Sequence, residues 1–273
     1  MGLHILPDLE QGSEEWFEQR RGMVTASVVG HLLSVAAPGA TSYECPECAA
    51  PDGEPCISLR GGTPIKTTHS GRVAVAAANA ATAEPVIEVA DNKTSRGLTA
   101  LLVAERITGV TDETPMTPDM WRGVEHEPFA REVYSEHVAT VTEIGFMVRD
   151  EADWQLGYSP DGLVGDDGAI EIKSPRAKTH LETILADKVP SEYMPQCQAG
   201  LLVSGRKWLD FVSFVGGMPL YVKRVYPDRA WHEAIVAAVS HFEYNAARIT
   251  AEYERRVADM PKTERPDFEI KVA

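Results

Sequence analysis

The sequence predicts a mixed α/β fold around one sheet. Three observations carry that prediction. Segments of helical period occupy the first half, a block of short strand-like runs lies between 141 and 175, and helical period returns from Asp228 to Asp259. A length of 273 residues with 44% apolar content suits one large domain or two small ones. No internal repeat is visible.

Taken in order, Ser13 is an N-cap for an amphipathic helix in which Trp16 and Arg20 stand one turn apart. From Ser95, the residues Leu98, Leu101, Leu102 and Glu105 recur at helical spacing until Gly109 ends the helix. Pro128 favours a helix start near that point, followed by the i,i+4 pairs Phe129/Val133 and Ala130/Tyr134. Strand-like runs come next: VTEIGFMVRD, GYSPDGLV and AIEIKSP, the last two joined by the turn residues GDDG. A helix from Tyr193 to Val203 precedes a hairpin of LDFVSFVGG and PLYVKRVY across Gly216–Gly217. The segment Asp228–Asp259 reads as one long amphipathic helix.

Charge and hydropathy exclude several classes. No apolar run approaches the roughly 18 residues of a membrane span, and the N-terminus lacks a basic-then-apolar leader pattern. A soluble, cytoplasmic protein without membrane partners is the expectation. A formal charge of −15 argues against bulk electrostatic coating of nucleic acid. It leaves room for a basic groove on an acidic body, because screening limits exposed charge to about 8 Å.

Three of the four cysteines, Cys45, Cys48 and Cys56, crowd into a Gly-, Pro- and Ser-rich stretch, 36–72, without period. This stretch reads as a loop-built module inserted into a larger fold, too small to be held by burial alone. With His69, the spacing Cys-x2-Cys-x7-Cys-x12-His supplies a tetrahedral donor set for structural Zn²⁺. The alternatives are reduced cysteines beside a solvated histidine, or an iron–sulfur cluster. Cys197 reads as a small buried hydrophobe. Arg60, Lys66 and Arg72 are the module's candidate contacts to DNA or a partner.

Ser159-Pro160-Asp161-Gly162 is followed by Glu171-Ile172-Lys173. Glu171 and Lys173 stand two apart on a strand and so share one face. The GDDG turn brings Asp161 towards Glu171, and paired carboxylate oxygens are what Mg²⁺ or Mn²⁺ takes. A nearby ammonium can hold a water and neutralise charge developing on phosphate. On its own an E-x-K strand is more often a solvated face with a weak ion pair. The pattern matches the PD-(D/E)xK signature of metal-dependent nucleases.

Four ordered blocks, Gln11–Ser27, Arg122–Tyr134, Leu156–Pro175 and Ser191–Gly205, resemble the lambda exonuclease and YqaJ-type viral recombinase family. The resemblance implies a restriction-endonuclease-like mixed sheet flanked by helices over 1–273, with 36–72 as an insertion. It implies a 5′→3′ exonuclease that degrades linear double-stranded DNA and leaves 3′ single strands. Asp161, Glu171, the Ile172 carbonyl and the helix-borne Glu127 would hold two Mg²⁺ ions, and Lys173 would position the attacking water. Glu125 is a competitor for Glu127, and Asp150 would be a further acid. Arg20, Ser27 and Ser159 would bind the terminal phosphate, with Gln196 and Gln198 as further DNA-facing positions. A single-strand annealing protein and a homotrimer are the implied partners. The family pattern lacks the 36–72 insertion. The competing readings are an inactive nuclease-fold scaffold for DNA binding or assembly, and an endonuclease with the same metal site.

Overall fold

In the computed structural model, which describes residues 2–111 and 115–265, the chain is a mixed α/β fold. The expected domain 1–273 also includes 1, 112–114 and 266–273, which lie outside the described residues. The elements are β1 (Gly2–Leu6), α1 (Glu14–Arg20), β2 (Leu33–Ala36), α2 (Ser70–Asn79), β3 (Val86–Val89), α3 (Lys93–Thr108) and α4 (Pro118–His137). They are followed by β4 (Phe146–Asp150), β5 (Gln155–Tyr158), β6 (Gly162–Val164), β7 (Gly168–Lys173), α5 (Ala177–Ala186), α6 (Met194–Ser204), β8 (Trp208–Ser213), β9 (Tyr221–Val225) and α7 (Arg229–Val257).

The strands do not form one sheet. They form a mixed β6-β7-β8-β9 sheet, an antiparallel β1-β4-β5 sheet and a β2-β3 ribbon. The run GYSPDGLV is cut in two by Ser159-Pro160-Asp161, so β5 and β6 belong to different sheets. Pro160 has no N–H to donate to a ladder, and the chain crosses between sheets there. β6 returns to β7 antiparallel, with Gly162 opposite Ile170, and Gly165 takes φ 52° in the tight turn. β7 runs parallel to β8, which pairs antiparallel with β9 through the hairpin expected at Gly216–Gly217.

α4 departs from the sequence reading. It starts at Pro118, capped by Thr117, and Pro128 lies inside it. Pro128 and Val124 are both exposed, so water can take the carbonyl that Pro128 leaves without a helical partner. On the inner face, Ala130 and Tyr134 pack on Val164, Ile170, Ile172 and Val212. Tyr134 donates to Asp210 Oδ2 at 2.7 Å, and Arg224 clasps the same carboxylate at 2.8 and 2.9 Å while stacking over Trp208. This cluster, buried at Tyr134 and Asp210 and closed from outside by Arg224, pins α4 across the sheet.

The main core lies on the opposite side of β8, under α3, α6 and α7. α7 presents Trp231, Ala234, Ile235, Ala238, Val239, Phe242 and Ala246 as the apolar stripe its sequence predicts. α3 starts two residues earlier than expected, with Asn92 and Ser95 forming a reciprocal cap, and Leu101 is exposed rather than buried. α6 comes so close to β5 that a Cβ on Gly200 would sit 2.7 Å from the Tyr158 ring. Glycine at that position lets the helix lie directly on the strand that leads into Asp161.

β2 and β3 pair from Leu33↔Val89 to Ala36↔Val86 and enclose residues 37–85 between them. Inside this excursion, Cys45, Ala50 and Cys56 form a small core of their own, with Cys48 and Ile65 against it. α2, β1, β2 and β3 carry no periodic sign in the sequence, because the strands are short and α2 starts at the edge of the aperiodic stretch.

Candidate functional site

A cleft of about 720 Å³ opens where α1, α4, the β5–β6 crossing, β7 and α6 meet. Asp161 and Glu171 lie at its base, 9% and 1% exposed. The register that puts Gly162 opposite Ile170 brings Asp161 beside Glu171, and Asp161 Oδ2 accepts the Ile172 N–H at 2.6 Å. Glu171 Oε1 accepts from Lys173 Nζ at 2.7 Å and from Gln196 Nε2 at 2.5 Å. Glu171 Oε2 is buried with no hydrogen-bond partner. A buried carboxylate oxygen without a donor is costly unless a cation meets it, so the donor set fits a divalent metal.

The electrostatics are strained in the same sense. Burial pushes the Glu171 carboxyl up to about 8, with Lys173 opposing the rise and Asp161 adding to it. Burial likewise raises Asp161 against the pull of Lys173. Burial opposes the Lys173 ammonium, but Glu171 and Asp161 outweigh it and raise its pKa. Desolvation disfavours the charged form of each acid, a cost that a bound cation would offset.

Glu127 faces the cleft from α4, whereas Glu125 is exposed on the outer side. Burial, then the charge of Asp161, raise Glu127 to about 7. Its carboxylate is held by Arg131 one turn later, and Arg131 also donates to the Asp161 carbonyl at 2.8 Å and pairs with Glu143 at 2.8 Å. Arg131 was not anticipated, although its i+4 spacing from Glu127 was visible in the sequence. Asp150 does not line the cleft. It ends β4 opposite Gly2 and Gln155, three residues from the Met147↔Tyr158 pair, or about 10 Å along the strand.

The cleft's other wall is polar and cationic. Arg20 stacks on Trp16 at 3.9 Å, and its guanidinium reaches Thr25 Oγ1 at 3.4 Å and Ser27 Oγ at 3.3 Å. The Trp16 indole N–H donates to Ser159 Oγ at 2.8 Å, so α1 is tied to the residue two before Asp161. Burial lowers Arg20 to about 10, with Glu105 opposing the shift. A guanidinium flanked by hydroxyls suits a phosphate. Thr25 joins this group unpredicted; it is tied to Ser27, two residues on, by a 3.0 Å hydroxyl contact.

Gln196 lines the cleft as expected, but Gln198 does not. Gln198 is buried, donates to the Tyr226 carbonyl at 2.9 Å and accepts the Asp228 N–H at 3.0 Å, so it fastens the start of α7. Two residues along a helix turn a side chain by about 200°, which takes it to the opposite face. Cys197 is fully buried, and burial pushes its thiol up.

A second constellation lies in the 37–85 excursion. The ligand atoms of Cys45, Cys48, Cys56 and His69 all fall within 4.8 Å of one another, the one such Cys/His/Asp/Glu group of three or more among the described residues. Cys45 Sγ and His69 Nδ1 are 3.4 Å apart, and the Ile57 N–H points at Cys48 Sγ at 3.5 Å. Burial works against the Cys48 thiolate, but the N–H groups of Ile57 and Ala50, together with Cys45 and His69, outweigh it and bring the thiol to about 6. Three thiolates and an imidazole are a zinc donor set. Arg60 and Lys66 are exposed, while Arg72 is not available to DNA: it is 0% exposed and hydrogen-bonded within the module.

Residues 72–207 match the YqaJ-like viral recombinase domain, which covers three of the four sequence blocks. Residues 11–88 match the "Putative DNA-binding phage zinc finger domain", which covers the first block and all four Cys/His ligands. The fold is similar to the crystal structure of an alkaline exonuclease, LHK-Exo, from Laribacter hongkongensis. That match has a TM-score of 0.65 at 28% identity, covering 91% of this chain and 100% of the other. The structure of LHK-Exo in complex with dAMP matches with a TM-score of 0.62 at 29% identity, with the same coverage. No curated protein gives a significant match, and no helix among the described residues is long and apolar enough to cross a membrane. The chain thus carries a YqaJ-like viral recombinase domain over 72–207 and, in its N-terminal part, a phage zinc-binding domain.

Proposed function

We propose that this chain is a metal-dependent deoxyribonuclease of phage-type recombination, degrading linear double-stranded DNA from 5′ ends and leaving 3′ single strands. The observation that carries the reading is the unpartnered Glu171 Oε2 beside Asp161 and Lys173, in a cleft whose opposite wall holds Arg20. Similarity to an alkaline exonuclease supports the reaction class, and that exonuclease's complex with dAMP supports a nucleotide as the kind of ligand.

Asp161, Glu171 and the Ile172 carbonyl would hold one Mg²⁺ or Mn²⁺, and Glu127 would contribute to a second. The ions would stabilise the attacking and leaving oxygens of an in-line displacement. Water oxygen attacks phosphorus, the bond from phosphorus to the 3′ oxygen breaks, and the leaving oxygen ends as a hydroxyl. Lys173, held by Glu171, orients the water and offsets charge growing on the phosphate. Arg20, Ser27 and Ser159, with Thr25, grip the terminal 5′-phosphate, and Trp16 braces both Arg20 and Ser159. Gln196 holds Glu171 from α6.

The Cys45/Cys48/Cys56/His69 module binds structural zinc, and 36–72 acts as an insertion that contacts DNA or a partner through its exposed face. A single-strand annealing protein and a homotrimer are the partners this reading carries. The intact Asp161, Glu171 and Lys173 favour an active enzyme over an inactive scaffold. The test compares end-labelled linear duplex with covalently closed circles, with and without Mg²⁺. Mononucleotide release from linear duplex alone, dependent on Mg²⁺, is the expected result. Comparable cleavage of circles makes the enzyme an endonuclease, and no Mg²⁺-dependent product from either overturns the reading.

A further inference from the structure

Arg72 stands in the first turn of α2, three residues after His69, and none of its surface is exposed. Its five N–H donors meet five acceptors. Nε donates to the Tyr43 carbonyl at 2.6 Å, one terminal nitrogen to the Glu54 carbonyl at 2.7 Å and towards Cys56 Sγ at 3.5 Å, and the other to the Thr41 and Pro51 carbonyls at 3.1 and 2.7 Å. These acceptors span the whole first half of the module, so one side chain gathers a loop that has almost no apolar core. Among the described residues no carboxylate pairs with it, and Cys56 is the ionisable group it touches.

A fully buried guanidinium needs a compensating negative charge, since carbonyl dipoles alone leave a net charge in a medium of low dielectric. Three thiolates and a neutral imidazole around Zn²⁺ sum to a charge of −1, equal and opposite to that of Arg72. Arg72 meets that charge at Cys56 Sγ and spends its other donors on the loop carbonyls, so the charge of the loaded site and the fold of the loop converge on one side chain.

We propose that Arg72 is the charge-balancing organiser of the zinc centre: it neutralises the three-thiolate site and ties the carbonyls of 41–54 to it, so that metal loading and ordering of the module are one event. Arg72 is a positioning residue, acting on the metal through Cys56 and the loop. The inference rests on zinc at the Cys/His set and is independent of the nuclease reaction.

The experiment measures zinc transfer from the full-length holoprotein to a chromogenic chelator, for wild type, Arg72→Lys and Arg72→Met. Arg72→Lys keeps the charge and loses the fork; Arg72→Met keeps much of the volume and loses both. Outer partners of metal ligands are worth about 10–100-fold in affinity, so release accelerates by that factor in Arg72→Met and by less in Arg72→Lys. Wild-type release from both variants overturns the proposal. Should Arg72→Met fail to fold, wild-type protein stripped of zinc decides the matter by limited proteolysis. Cleavage confined to 37–68, reversed by adding Zn²⁺, is expected, and a stripped module as protected as the loaded one refutes the coupling.

Discussion

Glu127→Gln separates the electrostatic reading of the cleft from a purely architectural one. In the absence of Mg²⁺, burial and Asp161 raise the Glu127 carboxyl from 4.5 to about 7. The folded state therefore binds more protons than the unfolded state between those values, and stability falls as pH rises through the window, then levels off above it. At 1.36 kcal/mol per pH unit the shift is worth up to about 3 kcal/mol. Glutamine keeps a hydrogen-bonding oxygen for Arg131 but has no proton to lose. The variant and wild type should thus be equally stable near pH 4.5, while the variant should be more stable at pH 8 by up to about 3 kcal/mol. For a chain of this size, that is roughly 6 °C in Tm. Urea denaturation across pH 4.5–8.5, in buffer free of added Mg²⁺ and without a chelator that would strip zinc, gives the difference curve directly. Saturating Mg²⁺ should stabilise wild type more than the variant and remove the advantage. A variant destabilised by the same amount at every pH would refute the reasoning, because Glu127 would then be only the ion-pair partner of Arg131.

Lys173→Ala should lower turnover on linear duplex by on the order of 10²–10³-fold with KM little changed, as expected of a group acting on developing charge, and steady-state kinetics would show it. Arg20→Ala should abolish a preference for 5′-phosphorylated over 5′-hydroxyl ends, a loss of on the order of 10–100-fold for charge-assisted hydrogen bonds, read by competing the two substrates. Gln198→Ala should leave KM for DNA unchanged and destabilise the fold by about 1–3 kcal/mol for each orphaned group. Weaker DNA binding without lost stability would restore Gln198 to the cleft. Wild-type affinity for Mg²⁺, followed by titration calorimetry, should rise from pH 6 to pH 8.5, because Glu127 and Glu171, at about 7 and 8, must shed protons to ligate the ion.

The central chemistry was legible because it is local. Asp161, the GDDG turn and Glu171-Ile172-Lys173 lie within a dozen or so residues, and strand alternation plus one tight turn suffices to bring them together. Cys45, Cys48, Cys56 and His69 were legible for the same reason. What escaped depends on contacts across the chain. Nothing local says that Tyr134 will meet Asp210 or that Asp210 will be clasped by Arg224. Gln196 and Gln198 look alike in sequence, and only the packing of α6 decides that one meets Glu171 and the other the start of α7. Arg72 looked like a surface cation because its acceptors are backbone carbonyls, which carry no sequence signature. Pro128 misled because a proline is tolerated inside a helix where its side faces water.

The closure of 37–85 by paired strands has an engineering corollary. Ala36 and Val86 are cross-strand neighbours, so the points where the chain departs and returns already stand a hairpin's width apart. A two-residue Asn-Gly linker could graft one directly onto the other, leaving the ribbon, and the helix it leans on, with the same partners. The excursion is in this sense detachable, and whatever it brings to the enzyme can be subtracted from an otherwise unbroken scaffold and added back.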